Sequence, residues 1–157
     1  MKKLLAFMLS MFALSSYASE LALMHGSMKG FSRTTVAYTM DPMYKNGNFE
    51  IVPEFGLSQY EKRNDTLIQF HSVPKLRYWF TDKLSVDGGI GTSMLSDKRL
   101  DTRRFGTRFQ FTDHIGVSYL VTDHISVGYR FTHISNAGIK KPNPGIDMQQ
   151  VILSYTF

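Results

Sequence analysis

The last eleven residues of this chain constrain its fold more than any other segment. Val151, Leu153, Tyr155 and Phe157 share one parity, and Ile152, Ser154 and Thr156 share the other. A period of two puts each set on its own face of an extended strand. The pattern recurs upstream, and eight alternating segments can be traced at 20–27, 31–40, 48–62, 67–80, 84–94, 104–121, 125–135 and 147–157. Their connections differ in size. Thr81-Asp82-Lys83 and Thr122-Asp123-His124 are tight, whereas 96–103 and 136–146 are long and polar.

Short turns at one end and long loops at the other are how outer-membrane barrels are built. The expected fold is therefore all-β, a single eight-stranded antiparallel transmembrane barrel of the outer-membrane type. A terminal Phe on an alternating aromatic and aliphatic strand also resembles the signal that outer-membrane assembly machinery recognises. A soluble barrel of the lipocalin kind is the alternative, and it would turn its apolar parity inward around a greasy cavity. Composition agrees with strands: 13% of the chain is aromatic, with 12 Phe and 8 Tyr. Beyond the first twenty positions no apolar run reaches the roughly 18 residues a membrane helix needs.

The N-terminus reads as an export leader. Lys2 and Lys3 precede an apolar run at 4–14, and Ser16-Tyr17-Ala18 offers small residues where a signal peptidase cuts. Residues 1–18 are thus an expected signal peptide, and 19–157 the barrel domain. Removing two lysines leaves 16 basic against 13 acidic residues, a net +3 too mild to suggest a nucleic-acid partner. The absence of cysteine excludes a disulfide scaffold, a thiolate metal site and a Cys nucleophile.

On the seventh segment Ile125, Val127, Tyr129 and Phe131 alternate with Ser126, Gly128, Arg130 and Thr132. Arg130 then faces the interior, where it needs a carboxylate partner, and Glu54, Glu61 and Asp87 are the candidates. The outward parity ends on two reactive groups, His133 and Ser135. Two residues apart on a strand, they share one face within reach of an imidazole–hydroxyl hydrogen bond. Asp147 has the outward parity of the next strand, at a similar height, so its carboxylate can reach the imidazole. A serine nucleophile, a histidine base and an acid orienting the base is the arrangement of acyl transfer. Rim residues at the lipid headgroup level are the plainer explanation for any two of these groups.

The run His133-Ile134-Ser135-Asn136-Ala137-Gly138, followed by Lys140-Lys141-Pro142-Asn143, Gly145-Ile146 and an acid, resembles the lipid A 3-O-deacylases of Gram-negative outer membranes, the PagL type. Gly88-Gly89-Ile90-Gly91 and the stretch from Phe111 to Gly116 are similar to the family as well. The resemblance implies a barrel whose outer wall carries the site, hydrolysing the ester-linked 3-hydroxyacyl chain at position 3 of lipid A. It implies Ser135 as nucleophile, His133 as general base and Asp147 as the orienting acid, where the family usually has Glu. Because Asp is shorter, Asp113 stays open as a second candidate acid or as a support.

Oxyanion donors are expected from the Asn136 side chain and the Ala137-Gly138 backbone, with Asn143 either contributing or only shaping the loop. Lys140 and Lys141 are candidate contacts for the lipid A phosphates. These groups need no metal and no cofactor. The rivals are a non-enzymatic small barrel, an outer-membrane phospholipase and a palmitoyltransferase-like barrel. The oligomeric state stays open, a homodimer included.

Overall fold

The computed structural model describes residues 19–157, and the expected leader lies outside the described residues. The strands are β1 (Glu20–Met28), β2 (Phe31–Thr39), β3 (Tyr44–Asn46), β4 (Phe49–Lys62), β5 (Asp65–Trp79), β6 (Leu84–Leu95), β7 (Arg99–Leu100), β8 (Arg103–Arg104), β9 (Phe109–Leu120), β10 (Ile125–Ser135) and β11 (Ile146–Thr156). Eight of them form the wall in the order β2-β1-β11-β10-β9-β6-β5-β4, and β4 pairs back onto β2 to close it. Every neighbouring pair is antiparallel. Closure removes the exposed edges an open sheet would leave. Where the last strand meets the first described residues, the Phe157 N–H donates to the Ser19 carbonyl at 3.0 Å.

The sequence pattern locates these eight strands to within two residues at nearly every end. The exception is the segment expected at 104–121, whose strand begins only at Phe109. Residues just before it form a separate two-stranded hairpin, β7 with β8. The reason is burial: Leu100 and Phe105 are drawn into the barrel mouth, so their alternation does not continue along the wall. They join Phe31, Tyr60, Leu67, Leu95, Ile134, Ile146 and Met148 in an apolar plug at that end.

Below the plug the interior is polar, as a small outer-membrane barrel requires. Arg130 donates to Glu54 Oε1 at 2.8 Å and Oε2 at 3.0 Å, and to Asp87 Oδ1 at 3.2 Å. Lys75 Nζ donates to Glu54 Oε2 at 3.1 Å, and His114 lies 3.1 Å from Asp87. Two of the three carboxylates named for Arg130 are thus its partners. The third, Glu61, is exposed, because its parity on β4 is opposite to that of Glu54. A polar interior also removes the lipocalin alternative. The apolar residues of the alternation face outward, with Ile115 61% and Val151 63% exposed.

Candidate active site

His133 lies near the outer end of β10, between two acids. In register it stands opposite Asp147 on β11 and opposite Asp113 on β9. Directly opposed residues hold their Cβ atoms about 5 Å apart, so even the short Asp side chain bridges the gap. Asp147 Oδ1 lies 2.7 Å from His133 Nδ1. That contact fixes which ring nitrogen faces the acid and leaves Nε2 for other work. Asp113 shares the outward face and is half-buried, but the imidazole nitrogen is turned to Asp147. Both partners of the contact are accessible, with side chains 37% and 35% exposed.

Ser135 ends β10 on the same half-buried outward parity as His133. Directly after it the chain turns sharply. The Asn136 carbonyl accepts from the Ile139 N–H at 3.0 Å, while Ala137 and Gly138 take φ of 51° and 80°. Two successive left-handed residues make a tight reversal that favours glycine at one of them. The Ala137 N–H points at Ser135 Oγ from 3.5 Å.

Asn136 occupies the inward parity and is fully buried. Its backbone N–H donates to Asn143 Oδ1 at 2.9 Å, its side-chain Nδ2 to the Lys140 carbonyl at 2.6 Å, and its Oδ1 accepts from the Gly138 N–H at 3.0 Å. The Asn136 carboxamide and the Gly138 amide, both expected to face an oxyanion, are committed to closing the loop. Asn143 shares in that closure. Lys140 and Lys141 are exposed on the same loop.

Three more residues complete the surroundings: Lys29 and Arg103, which the sequence pattern did not single out, and Gly145, quoted there only as part of the motif. Lys29, in the turn between β1 and β2, brings Nζ to 3.7 Å from Asp147 Oδ2. Gly145 has φ of 58°, and a methyl group placed there would lie 2.9 Å from His133 Cε1 and 3.5 Å from Nε2. The glycine lets the loop backbone pack flat against the imidazole. Arg103, from the β7–β8 hairpin, donates to the carbonyls of Pro144 and Gly145. Its guanidinium stacks 4.8 Å from the Phe31 ring. The Gly106 N–H donates to the Pro142 carbonyl at 2.7 Å. The hairpin therefore braces the loop that backs His133. The motif carries Gly145 without its role against the imidazole, only the loop path reveals Arg103, and Lys29 becomes visible once the first and last strands are known to be neighbours.

A family model for lipid A 3-O-deacylase (PagL) matches residues 30–156. The lipid A deacylase PagL of Bordetella bronchiseptica is 31% identical over 146 residues, covering 87% of this chain and 82% of that protein. Among solved structures, the outer membrane enzyme PagL aligns with a TM-score of 0.70 at 22% identity, covering 86% of this chain and 97% of that one. The Yersinia pestis outer membrane protein Ail, in a phospholipid bilayer nanodisc, aligns with a TM-score of 0.59 at 8% identity, covering 89% and 99%. These two structural likenesses speak to the barrel alone. Sequence similarity spanning nearly the whole described chain goes further, and by it the chain belongs to the lipid A 3-O-deacylase (PagL) family.

Proposed function

We propose that Ser135, His133 and Asp147 perform the reaction of this protein, an outer-membrane lipid A 3-O-deacylase. The observation that carries the assignment is the 2.7 Å contact between His133 and Asp147 on the lipid-facing side of the wall, beside Ser135. Nδ1–H donates to the carboxylate, so Nε2 presents its lone pair as general base. The Ser135 hydroxyl, on the same strand face, gives up its proton to Nε2 and attacks the ester carbonyl. Negative charge then develops on the carbonyl oxygen. The Ala137 amide at Ser135 is the donor best placed to hold it, since Asn136 and Gly138 are engaged in the loop. The imidazolium returns its proton to the departing sugar oxygen, and water from the headgroup side releases the acyl group. Asp147 stabilises the imidazolium throughout.

Substrate approaches sideways within the bilayer, its acyl chains against outward residues such as Tyr129, Phe131 and Leu153. Export and removal of residues 1–18, leaving Ser19 first, complete this reading. A homodimer is a separate expectation, read by sedimentation of the detergent-solubilised protein.

Mass spectrometry of lipid A incubated with refolded protein tests the assignment. A mass loss of one 3-hydroxyacyl chain is expected, absent in Ser135→Ala and His133→Ala barrels that still migrate as folded. Near-normal activity in Ser135→Ala would refute the nucleophile. Lysophospholipid from added phosphatidylethanolamine, with lipid A untouched, would replace the substrate with a phospholipid.

A further inference from the structure

The apolar outer surface differs in height around the barrel. On β9 the outward parity runs from Tyr119 through Val117, Ile115 and Phe111 to Phe109, broken only by Asp113. On β5 it runs from Tyr78 to Ile68 and on β6 from Leu84 to Met94, with Ser72 and Thr92 as the polar interruptions. Ten residues at about 3.3 Å each, tilted by about 40°, cover about 25 Å, the full apolar band of such a barrel. On β11 the apolar run from Tyr155 stops at Val151, on β1 at Leu23 and on β2 at Val36. Four residues cover only about 10 Å. Tilt shifts equal heights by roughly one residue per strand, so the β11-β1-β2 wall still ends about 10 Å lower than β9, β6 and β5, while β10, ending at Phe131, and β4, ending at Leu57 opposite Val36, belong to the low side.

Above that line the same outward parity carries Gln149, His25, Ser27, Thr34 and Ser32. Hydrocarbon against these groups would leave hydrogen bonds unmet. His25 Nδ1 is satisfied by Thr34 Oγ1 at 2.9 Å, with its other ring nitrogen unoccupied by that bond. At the top of this low wall lies an open cavity of about 460 Å³ whose lining includes Ser27, Lys29, Ser32, Glu61, Lys62 and Arg63. Glu61 accepts from Gln59 at 2.6 Å, and Lys62 and Arg63 share Asp101 at 3.8 and 3.4 Å. With Lys29 held by Asp147, and Glu61 in the lining, the charges around this cavity balance, and it offers polar groups of both signs to a headgroup. The candidate active site stands at the step, with the high apolar wall on its β9 side and the low polar wall on its β1 side.

We infer that the low polar wall formed by His25, Thr34 and Gln149, with the charge-balanced polar cavity above it, is the seat of the substrate's sugar headgroup. This rests on the deacylase reading given above. The acyl chains lie on the high wall of β9, β6 and β5, and the step sets the depth at which an ester meets Ser135. Preference for a lipid with a broad polar headgroup follows from surface shape, without an enclosed pocket.

The test uses His25→Leu/Thr34→Val/Gln149→Leu, which extends the apolar band upward. Apolar substitutions on the lipid face do not endanger a barrel, and heat-modifiable migration checks folding. Titrating lipid A in detergent micelles onto Ser135→Ala protein, with and without the triple change, reads binding without turnover. Three hydrogen-bonding groups at twofold to threefold each predict binding weaker by at least about tenfold. In the active protein KM should rise to match, with kcat within about threefold. Unchanged binding and KM would overturn the inference. Conversion of a dimer to a monomer by the triple change would also overturn it, making the wall an interface between copies. Absence of hydrolysis by the intact protein, with binding still weakened by the triple change, would sink the deacylase reading and leave the headgroup seat standing.

Discussion

Replacing each of the two acids beside His133 separates an orienting partner from a bystander. Asp147→Asn keeps size and hydrogen-bonding capacity but removes the charge that steadies an imidazolium, and it can hold the ring in the wrong tautomer. In buried triads this kind of change costs about 10⁴ in kcat. Here the contact is short, 2.7 Å, yet both side chains are more than a third exposed. Water and Lys29 therefore screen part of the charge, and the loss should be smaller, about 10² to 10³, or roughly 3–4 kcal/mol of transition-state stabilisation. Asp113→Asn removes a charge opposite the same histidine but not the hydrogen bond, so kcat should fall by less than about threefold. Asp147→Glu should retain at least about a tenth of the activity, because Glu accepts the same Nδ1–H from one methylene further out. The assay is initial-rate release of 3-hydroxy fatty acid from lipid A in mixed micelles, on variants matched for folded fraction. If Asp113→Asn lost more activity than Asp147→Asn, the acid would lie on β9 and the orientation of His133 described above would be wrong.

Other expectations concern the supports. Gly145→Ala places a methyl within contact of His133 and strains a positive φ, so kcat should fall about tenfold while thermal denaturation of the folded barrel shifts little. Glu54→Leu leaves Arg130 and Lys75 without their shared buried carboxylate. Equilibrium refolding from urea into detergent or lipid should then show a loss of about 3–5 kcal/mol, and a change below about 1 kcal/mol would contradict the lumen network. Asn136→Ala removes the side-chain contacts to Lys140 and Gly138. Limited proteolysis should then cut within 137–145 faster, with lower kcat at nearly constant KM.

The strands and the outward placement of His133, Ser135 and Asp147 were legible because both follow from parity. Alternation is local, so β10 and β11 could be read with His133, Ser135 and Asp147 on one face, and the register sets His133 opposite Asp147. Arg130 was legible as an inward charge for the same reason. Parity also places Asn136 with Ile134 on the inward face, so its carboxamide closes the loop rather than facing outward with Ser135. What parity cannot supply is long-range closure and loop path. Lys29 meets Asp147 only because β1 and β11 are neighbours in the closed sheet. Leu100 and Phe105 resemble strand residues by composition, and only the empty mouth above Ile134 and Met148 explains why they fold inward.

Under the proposed assignment, the outward aspect of Ser135 and His133 also determines how the reaction is counted. An enzyme with an internal cleft responds to the bulk concentration of what enters it. Here the reactive face opens onto the surrounding lipid, so the governing quantity is the mole fraction of substrate in one leaflet. Adding inert lipid at fixed total substrate should slow the rate in proportion to surface dilution, while adding more vesicles of unchanged composition should not slow each enzyme. The released fatty acid enters the same two-dimensional pool, so product accumulates beside the wall that made it and lowers the rate through its own surface density.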